Sequence, residues 1–141
     1  MGHKSRNRAR FSDKILCDDE RLQAGVLDPR YPEVRDFLID KYAFFAREYS
    51  IDGFKPDFID RFHTDSEPPY AQGMDTECVC DAVQTLMITV RDSLTAINPD
   101  VMIEFRQHYT GPIIAVSAIC CAWLTAPATH CNTAWASPTS A

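Results

Sequence analysis

Apolar residues recur every three or four positions in two segments of the chain, which is the spacing of one helix face. The first segment begins at Pro32, a residue suited to the first turn of a helix. Its apolar positions are Val34, Phe37, Leu38, Tyr42, Phe45 and Tyr49, and the pattern leaves Glu33, Arg35, Asp36, Asp40 and Arg47 outward. The second is marked by Val79, Val83, Leu86, Met87, Val90, Leu94 and Ile97. Asn98-Pro99 ends the second periodic segment, because the residue before a proline disfavours helical backbone angles. The sequence therefore predicts two amphipathic helices with defined ends.

Three short apolar runs alternate with these helices and predict strands. They are Gly25–Leu27, which ends at Asp28-Pro29, then Phe54–Ile59, and then Val101–Phe105. Strands separated by helices of this length form βαβ units with parallel strands, so their polar end residues should meet at the carboxyl edge of one sheet. No glycine-rich phosphate loop accompanies them, which removes nucleotide binding from the leading candidates.

Composition and charge narrow the function classes. A chain of 141 residues with 45% hydrophobic content predicts one domain or a piece of one. The net charge of -6 argues against nucleic-acid binding, and the basic residues within positions 4–10 predict a solvated end. No apolar stretch follows them, so we expect no secretory signal and a cytoplasmic protein. The six cysteines form no C-x-x-C pair, so we expect reduced thiols, no metal and no cofactor.

The final segment differs from the rest of the chain. All 14 basic and 20 acidic residues lie at or before Arg106, and positions 107–141 contain none. The absence of charged residues from this segment differs strongly from the composition of ordinary globular domains, in which about a quarter of the residues are charged. The apolar run Ile113–Leu124 is too short to span a membrane, so we expect no membrane association.

The run from Ile51 to Asp60 carries the candidate chemistry, with Lys55 and Asp57 two residues apart. In an extended strand both side chains point to the same face. The ammonium group would keep the carboxylate ionised, as a nucleophile requires, and would retain donors for a hydroxylated ligand.

Three ordered motifs resemble the melibiase-type α-galactosidases, which are retaining glycoside hydrolases of clan D, family 36-like, built on a (β/α)₈ barrel. The motifs are Val26–Arg35, Asp52–Asp60, and Ala96–Asp100 continuing through Ile103–Gln107 to Gly111-Pro112. The resemblance covers roughly residues 11 to 112. It implies that residues 1–112 are a central βαβαβ fragment of such a barrel and that residues 113–141 are a non-matching tail outside the domain.

The resemblance also implies roles for individual residues. Asp57 matches the catalytic nucleophile and Lys55 the lysine that bonds sugar hydroxyls, while Glu104, Arg106 and Gln107 fall where the family lines its sugar pocket. The substrate would be an α-galactoside oligosaccharide or glycoside. Retaining glycosidases work by double displacement, in which the nucleophile first forms a covalent bond to the sugar and water then breaks it. A second carboxyl group about 5 Å from the nucleophile first protonates the leaving group and then activates the water.

Two features depart from the family pattern. Pro56 stands where the family usually has an apolar residue with a backbone N–H, and proline removes a ladder bond from an interior strand. The family's acid/base aspartate follows the third strand, but no Asp or Glu follows Glu104 here. We therefore expect the 141-residue chain to be inactive, because three strands do not close a barrel that needs about 250 residues.

The uncharged tail is consistent with a change of reading frame between Gly111 and Ile114. When permitted codons for residues 113–141 are read two nucleotides later, they can encode a charged peptide that contains A-D-C-P-G-D-A. This peptide is similar to the family's continuation, including the loop where the acid/base would lie. The hypothesis requires that one insertion or deletion in the underlying DNA restores the peptide.

Other interpretations stay open at this point. The chain could be a non-catalytic carbohydrate- or protein-binding remnant, or a related α-glycosidase with a different sugar specificity. Glu104 could pair with Arg106 along one strand face. We interpret Asp28 and Asp60 as helix-capping or loop-ordering residues, Cys78–Cys80 as a helix start, and His63 and His108 as loop residues.

Overall fold

A computed structural model describes residues 1–57, 59–62 and 68–105 of the chain. Within these residues the structure is mixed α/β, with two long helices and four short strands. The elements, in chain order, are β1 (Ile15–Asp19), β2 (Ala24–Leu27), α1 (Pro32–Tyr49), β3 (Gly53–Phe54), α2 (Val79–Ile97) and β4 (Met102–Ile103). Short 3₁₀ helices cover Arg6–Arg8 and Ile59–Phe62.

The first two strands form an antiparallel hairpin in which Ile15 pairs with Leu27 and Asp19 with Ala24. Strand β2 confirms the predicted strand, whereas β1 was not predicted because its acidic end has low strand propensity. The N-terminal segment contacts this hairpin, since the His3 amide donates to the Gln23 carbonyl at 2.8 Å. Lys4, Arg6 and Arg10 of this segment are exposed, as expected for a solvated end, whereas Nη2 of Arg8 lies 2.7 Å from Oδ2 of Asp18 on the hairpin.

Helix α1 begins at Pro32, as predicted, and its last residue is Tyr49. The next residue, Ser50, has left-handed backbone angles (φ 49°, ψ 47°) and terminates the helix. Its buried residues are Val34, Arg35, Ala43 and Ala46. The predicted orientation is wrong at three positions, because Arg35 is buried whereas Phe45 and Tyr49 are exposed. Ala46 lies in the same buried cluster as the apolar face of α2, and Leu38, Ile39 and Tyr42 of α1 pack against that cluster partly buried.

Helix α2 confirms the predicted stripe. Residues Val79, Val83, Leu86, Met87, Val90 and Leu94 are all buried, and Ile97 packs against them partly buried. Cys78 is the residue before the first helical turn, and the amide of Asn98 donates to the Leu94 carbonyl at 2.9 Å where the helix ends. This face of α2 forms the main core with Ala46, Val101 and Ile103.

Strands β3 and β4 are parallel neighbours joined by α2, which makes one βαβ unit. Gly53 pairs with Met102 and Phe54 with Ile103. The amide of Met102 donates to the Asp52 carbonyl at 2.8 Å, and the amide of Glu104 donates to the Phe54 carbonyl at 2.9 Å. The parallel arrangement of these two strands agrees with the prediction.

The predicted strand Phe54–Ile59 is wrong in its extent. The strand covers Gly53–Phe54, and Ile59 begins a 3₁₀ helix. Pro56, which has no amide hydrogen to offer a ladder, explains why the strand stops early. The predicted third strand, Val101–Phe105, is shortened to Met102–Ile103.

The described residues form two separate two-stranded sheets, β1 with β2 and β3 with β4. Within them β2 is not hydrogen-bonded to β3, so the single sheet expected from the sequence is not formed there. The barrel fragment stays a prediction. Neither α1 nor α2 combines the length and apolar character that a bilayer crossing requires, and the described part of the chain offers no other candidate.

Candidate functional site

The carboxyl ends of β3 and β4 bring two of the predicted sugar-binding residues together. Lys55 directly follows β3 and Glu104 directly follows β4, and the parallel register places them side by side. The ammonium nitrogen of Lys55 lies 3.2 Å from Oε1 of Glu104. Both side chains are about half exposed, at 56% and 48%. Because both groups remain hydrated, they keep donors and acceptors for a polar ligand.

Asp57 is exposed, whereas the preceding Pro56 is buried. Both residues line a cavity of about 1090 Å³. The surface of this cavity, among the described residues, does not include Lys55 or Glu104. The salt bridge that the structure gives Lys55 is with Glu104, and the nucleophile role of Asp57 stays a prediction.

The remaining walls of this cavity come from the β1–β2 hairpin, α1, α2 and the 3₁₀ helix Ile59–Phe62. Polar lining residues besides Asp57 include Asp18, Asp19, Glu20, Lys41, Tyr42 and Arg61. Nη1 of Arg61 lies 3.3 Å from Oδ2 of Asp19, which links the 3₁₀ helix to the hairpin. Acidic and basic groups therefore lie on the walls of one cavity that also holds the candidate nucleophile.

Two further lining groups are held in their neutral forms. Burial raises the pKa of the Cys17 thiol, and the nearby carboxylates of Asp18 and Asp19 raise it further. Burial also raises the pKa of the Tyr42 hydroxyl. A thiol with a raised pKa is a poor nucleophile at neutral pH, so Cys17 does not compete with a carboxylate for that role.

Asp28 follows β2 and is almost fully buried with Arg30. Nη2 of Arg30 lies 2.7 Å from Oδ2 of Asp28, and the Arg30 amide donates to Oδ1 at 3.0 Å. The same guanidinium group donates to the carbonyl oxygens of Pro68 and Glu77, at 2.8 and 3.3 Å. This confirms the interpretation of Asp28 as a loop-ordering residue. The pair ties the segment before α2 to the turn before α1.

A second arginine acts on the same segment, which the sequence did not predict. Nη1 of Arg35 donates to the Pro29 carbonyl at 2.8 Å and to Oδ1 of Asp75 at 2.9 Å, and Nη2 donates to Oδ2. These hydrogen bonds lower the pKa of the Asp75 carboxyl. The only sequence signal was a basic residue beside apolar neighbours, which the helical pattern assigned to the outward face. No pattern pointed to a partner 40 residues away.

Several predictions fall outside the described residues. These are the substrate-binding roles of Arg106 and Gln107, the loop assignments of His63 and His108, and the whole tail at 113–141. The side chain of Asp60 is likewise outside them, although its backbone lies in the 3₁₀ helix Ile59–Phe62. Over the described ranges no group of three or more His, Cys, Asp or Glu side chains is arranged to hold a metal ion.

No protein-family model matches the chain, and no curated protein is significantly similar to it.

Proposed function

We propose that this chain is a fragment of a retaining glycoside hydrolase that cleaves terminal α-galactosyl groups, and that it is inactive in this form. The main support is the carboxyl end of the parallel β3–α2–β4 unit, where the ammonium nitrogen of Lys55 lies 3.2 Å from Oε1 of Glu104. The resemblance of three ordered motifs supports the same family. Carboxyl ends of parallel strands are where α/β folds place their binding groups.

In this proposal Asp57 attacks the anomeric carbon while the glycosidic bond breaks and the acid/base carboxyl group protonates the leaving oxygen. The resulting covalent glycosyl-enzyme is then hydrolysed by a water molecule that gives its proton to the same acid/base group. The exposure of Asp57 and its place on a cavity wall are compatible with attack on a bound sugar. Lys55 and Glu104, which lie outside this cavity at the ends of β3 and β4, bond hydroxyls of the sugar, and the resemblance assigns Arg106 and Gln107 to sugar binding as well. The acid/base comes from the alternative reading frame of residues 113–141, so this chain lacks half of the carboxyl pair.

The test compares the 141-residue chain with the product of a gene that is extended upstream and downstream to the full barrel and in which one insertion or deletion restores the alternative frame. We expect the corrected product to hydrolyse a chromogenic α-galactoside and the present chain to show no turnover. Asp57→Asn in the corrected product should abolish activity. Asp100→Asn should not, because Asp100 is exposed in the turn after α2.

Robust turnover by the purified 141-residue chain would refute the inactive-fragment proposal. Inactivity of the corrected product toward α-galactosides, combined with activity on α-glucosides or α-xylosides, would assign a related α-glycosidase instead.

A second candidate is a non-catalytic carbohydrate- or protein-binding remnant. The favouring observation is a cavity of about 1090 Å³ in a chain that has no carboxylate after Glu104. An NMR titration with galactose, in which the amide chemical shifts of the chain report binding, distinguishes the enzyme fragment from the non-catalytic remnant. Saturable binding by the 141-residue chain, together with a DNA sequence that no single insertion or deletion corrects, would favour the remnant.

A further inference from the structure

The exposed side of helix α1 carries a cluster of three aromatic rings. Phe44, Phe45 and Tyr49 are 50%, 44% and 63% exposed. Their ring centres lie 5.5 to 6.4 Å apart in all three pairings, so they form one continuous apolar surface. A contiguous exposed apolar surface of this kind marks an interaction site more often than scattered apolar residues do. We refer to these three residues as the aromatic patch.

Two charged residues lie symmetrically on either side of Phe44 and Phe45 along the helix, and Tyr49 lies just beyond one of them. Lys41 and Glu48 are both exposed and lie seven residues apart, two helical turns, on the same face. The midpoint between Lys41 and Glu48 along the sequence falls between the adjacent residues Phe44 and Phe45. The charge on one side of the midpoint is therefore opposite to the charge on the other side.

Such a pattern is complementary to itself when two copies of the helix run antiparallel. A two-fold axis that passes between Phe44 and Phe45 surrounds itself with the aromatic rings of both copies. The same axis brings each Lys41 level with Glu48 of the second copy, so the interface contains two identical ion pairs. Two-fold interfaces use one surface twice in this way.

We infer that the chain forms a homodimer through antiparallel packing of α1 about this point, with Phe44 and Phe45 at its centre. The inference does not depend on the proposed enzymatic function. Lys41 is exposed and also lines the cavity described above, and its ammonium group lies 5.3 Å from the centre of the Phe37 ring.

The first test is sedimentation equilibrium of the 141-residue chain and its charge-reversed variants. We expect Lys41→Glu to weaken dimerisation about tenfold or more, because it places two pairs of like charges in contact, and Glu48→Lys to do the same. The combined variant Lys41→Glu with Glu48→Lys should recover the dimer, since it exchanges the two charges. Arg21→Glu is the matched control, because it makes the same change of charge as Lys41→Glu at an exposed residue in the turn between β1 and β2, outside α1, and it should not change the dimer.

A second measurement covers the case in which other surfaces also associate. A zero-length carbodiimide reagent should join Lys41 of one copy to Glu48 of the other, and mixed ¹⁴N and ¹⁵N chains identify the link as intermolecular. A monomeric wild type overturns the inference. So does a combined variant that stays as weak as the single ones, or an assembly that resists Lys41→Glu and lacks the mixed-isotope link.

Discussion

Lys55 and Glu104 are 49 positions apart in sequence, yet the ammonium nitrogen of one lies 3.2 Å from a carboxylate oxygen of the other. The contact exists because β3 and β4 are parallel neighbours and each residue directly follows its strand. Both side chains are about half exposed, so solvent screens their attraction. The pair is therefore better suited to ligand contact than to holding the fold together.

We expect the coupling energy of this pair for folding to be about 1 kcal/mol or less. The test is a double-mutant cycle with Lys55→Met and Glu104→Gln, in which urea unfolding gives the free energy of each variant. A coupling energy of several kcal/mol would mean that the pair is structural, which would remove the reason to place it in a sugar pocket.

Gly53 is required where β3 meets β4. A Cβ atom added at this residue would lie 2.9 Å from the Met102 carbonyl oxygen and 3.2 Å from the Met102 Cβ. We expect Gly53→Ala to lower the free energy of unfolding by about 1–3 kcal/mol, because the neighbouring backbone must move. Gly2→Ala is the control, since nothing lies within 4 Å of the added atom there. Equal stability of the two variants in urea would contradict this close packing.

Arg30 is expected to contribute far more to stability than an exposed arginine does. Replacing it by methionine leaves the Asp28 carboxylate buried without its partner and removes the donors to Pro68 and Glu77. We expect a loss of about 3–5 kcal/mol for Arg30→Met. Arg61→Met removes a more exposed ion pair with Asp19 and should cost about 1 kcal/mol or less. Urea unfolding of both variants measures these losses of free energy. Similar losses would show that burial of the Asp28–Arg30 pair does not increase its contribution to stability.

The Arg35–Asp75 pair predicts an acid-sensitive contribution to stability. Hydrogen bonds from Arg35 hold the pKa of Asp75 below its ordinary value of 3.8. A carboxyl with a lowered pKa in the folded state stabilises the fold above the ordinary pKa, and that stabilisation is lost as the pH falls through the lower folded value. Because Asp75 is half exposed, salt should weaken the effect.

The measurement is the free energy of unfolding from pH 6 to pH 2 for the wild type and Asp75→Asn. We expect the variant to be less stable at pH 6, with the difference shrinking toward pH 2. A difference that is constant across this range would show that the ion pair is not responsible.

Much of the local structure was predictable from sequence. Pro32 fixed the start of α1, Asn98-Pro99 fixed the end of α2, and the apolar spacing of α2 identified its buried face. These features depend on backbone restrictions and on a helical period, and both are properties of neighbouring residues. Lys55 and Glu104 were predicted to lie within strands Phe54–Ile59 and Val101–Phe105, whereas in the structure both residues directly follow shorter strands.

Local sequence patterns were enough to predict the two helices, the parallel order of β3 and β4, and Lys55 and Asp57 as candidate site residues. They did not predict the pairing of β1 with β2, the hydrogen bonds by which Arg30 and Arg35 hold the segment before α2, or the exposure of the aromatic patch of α1. These features join residues far apart in sequence, such as Arg35 and Asp75, which are 40 positions apart. Their contacts form only when the segment before α2 folds against α1, and neighbouring residues carry no pattern that specifies such a contact.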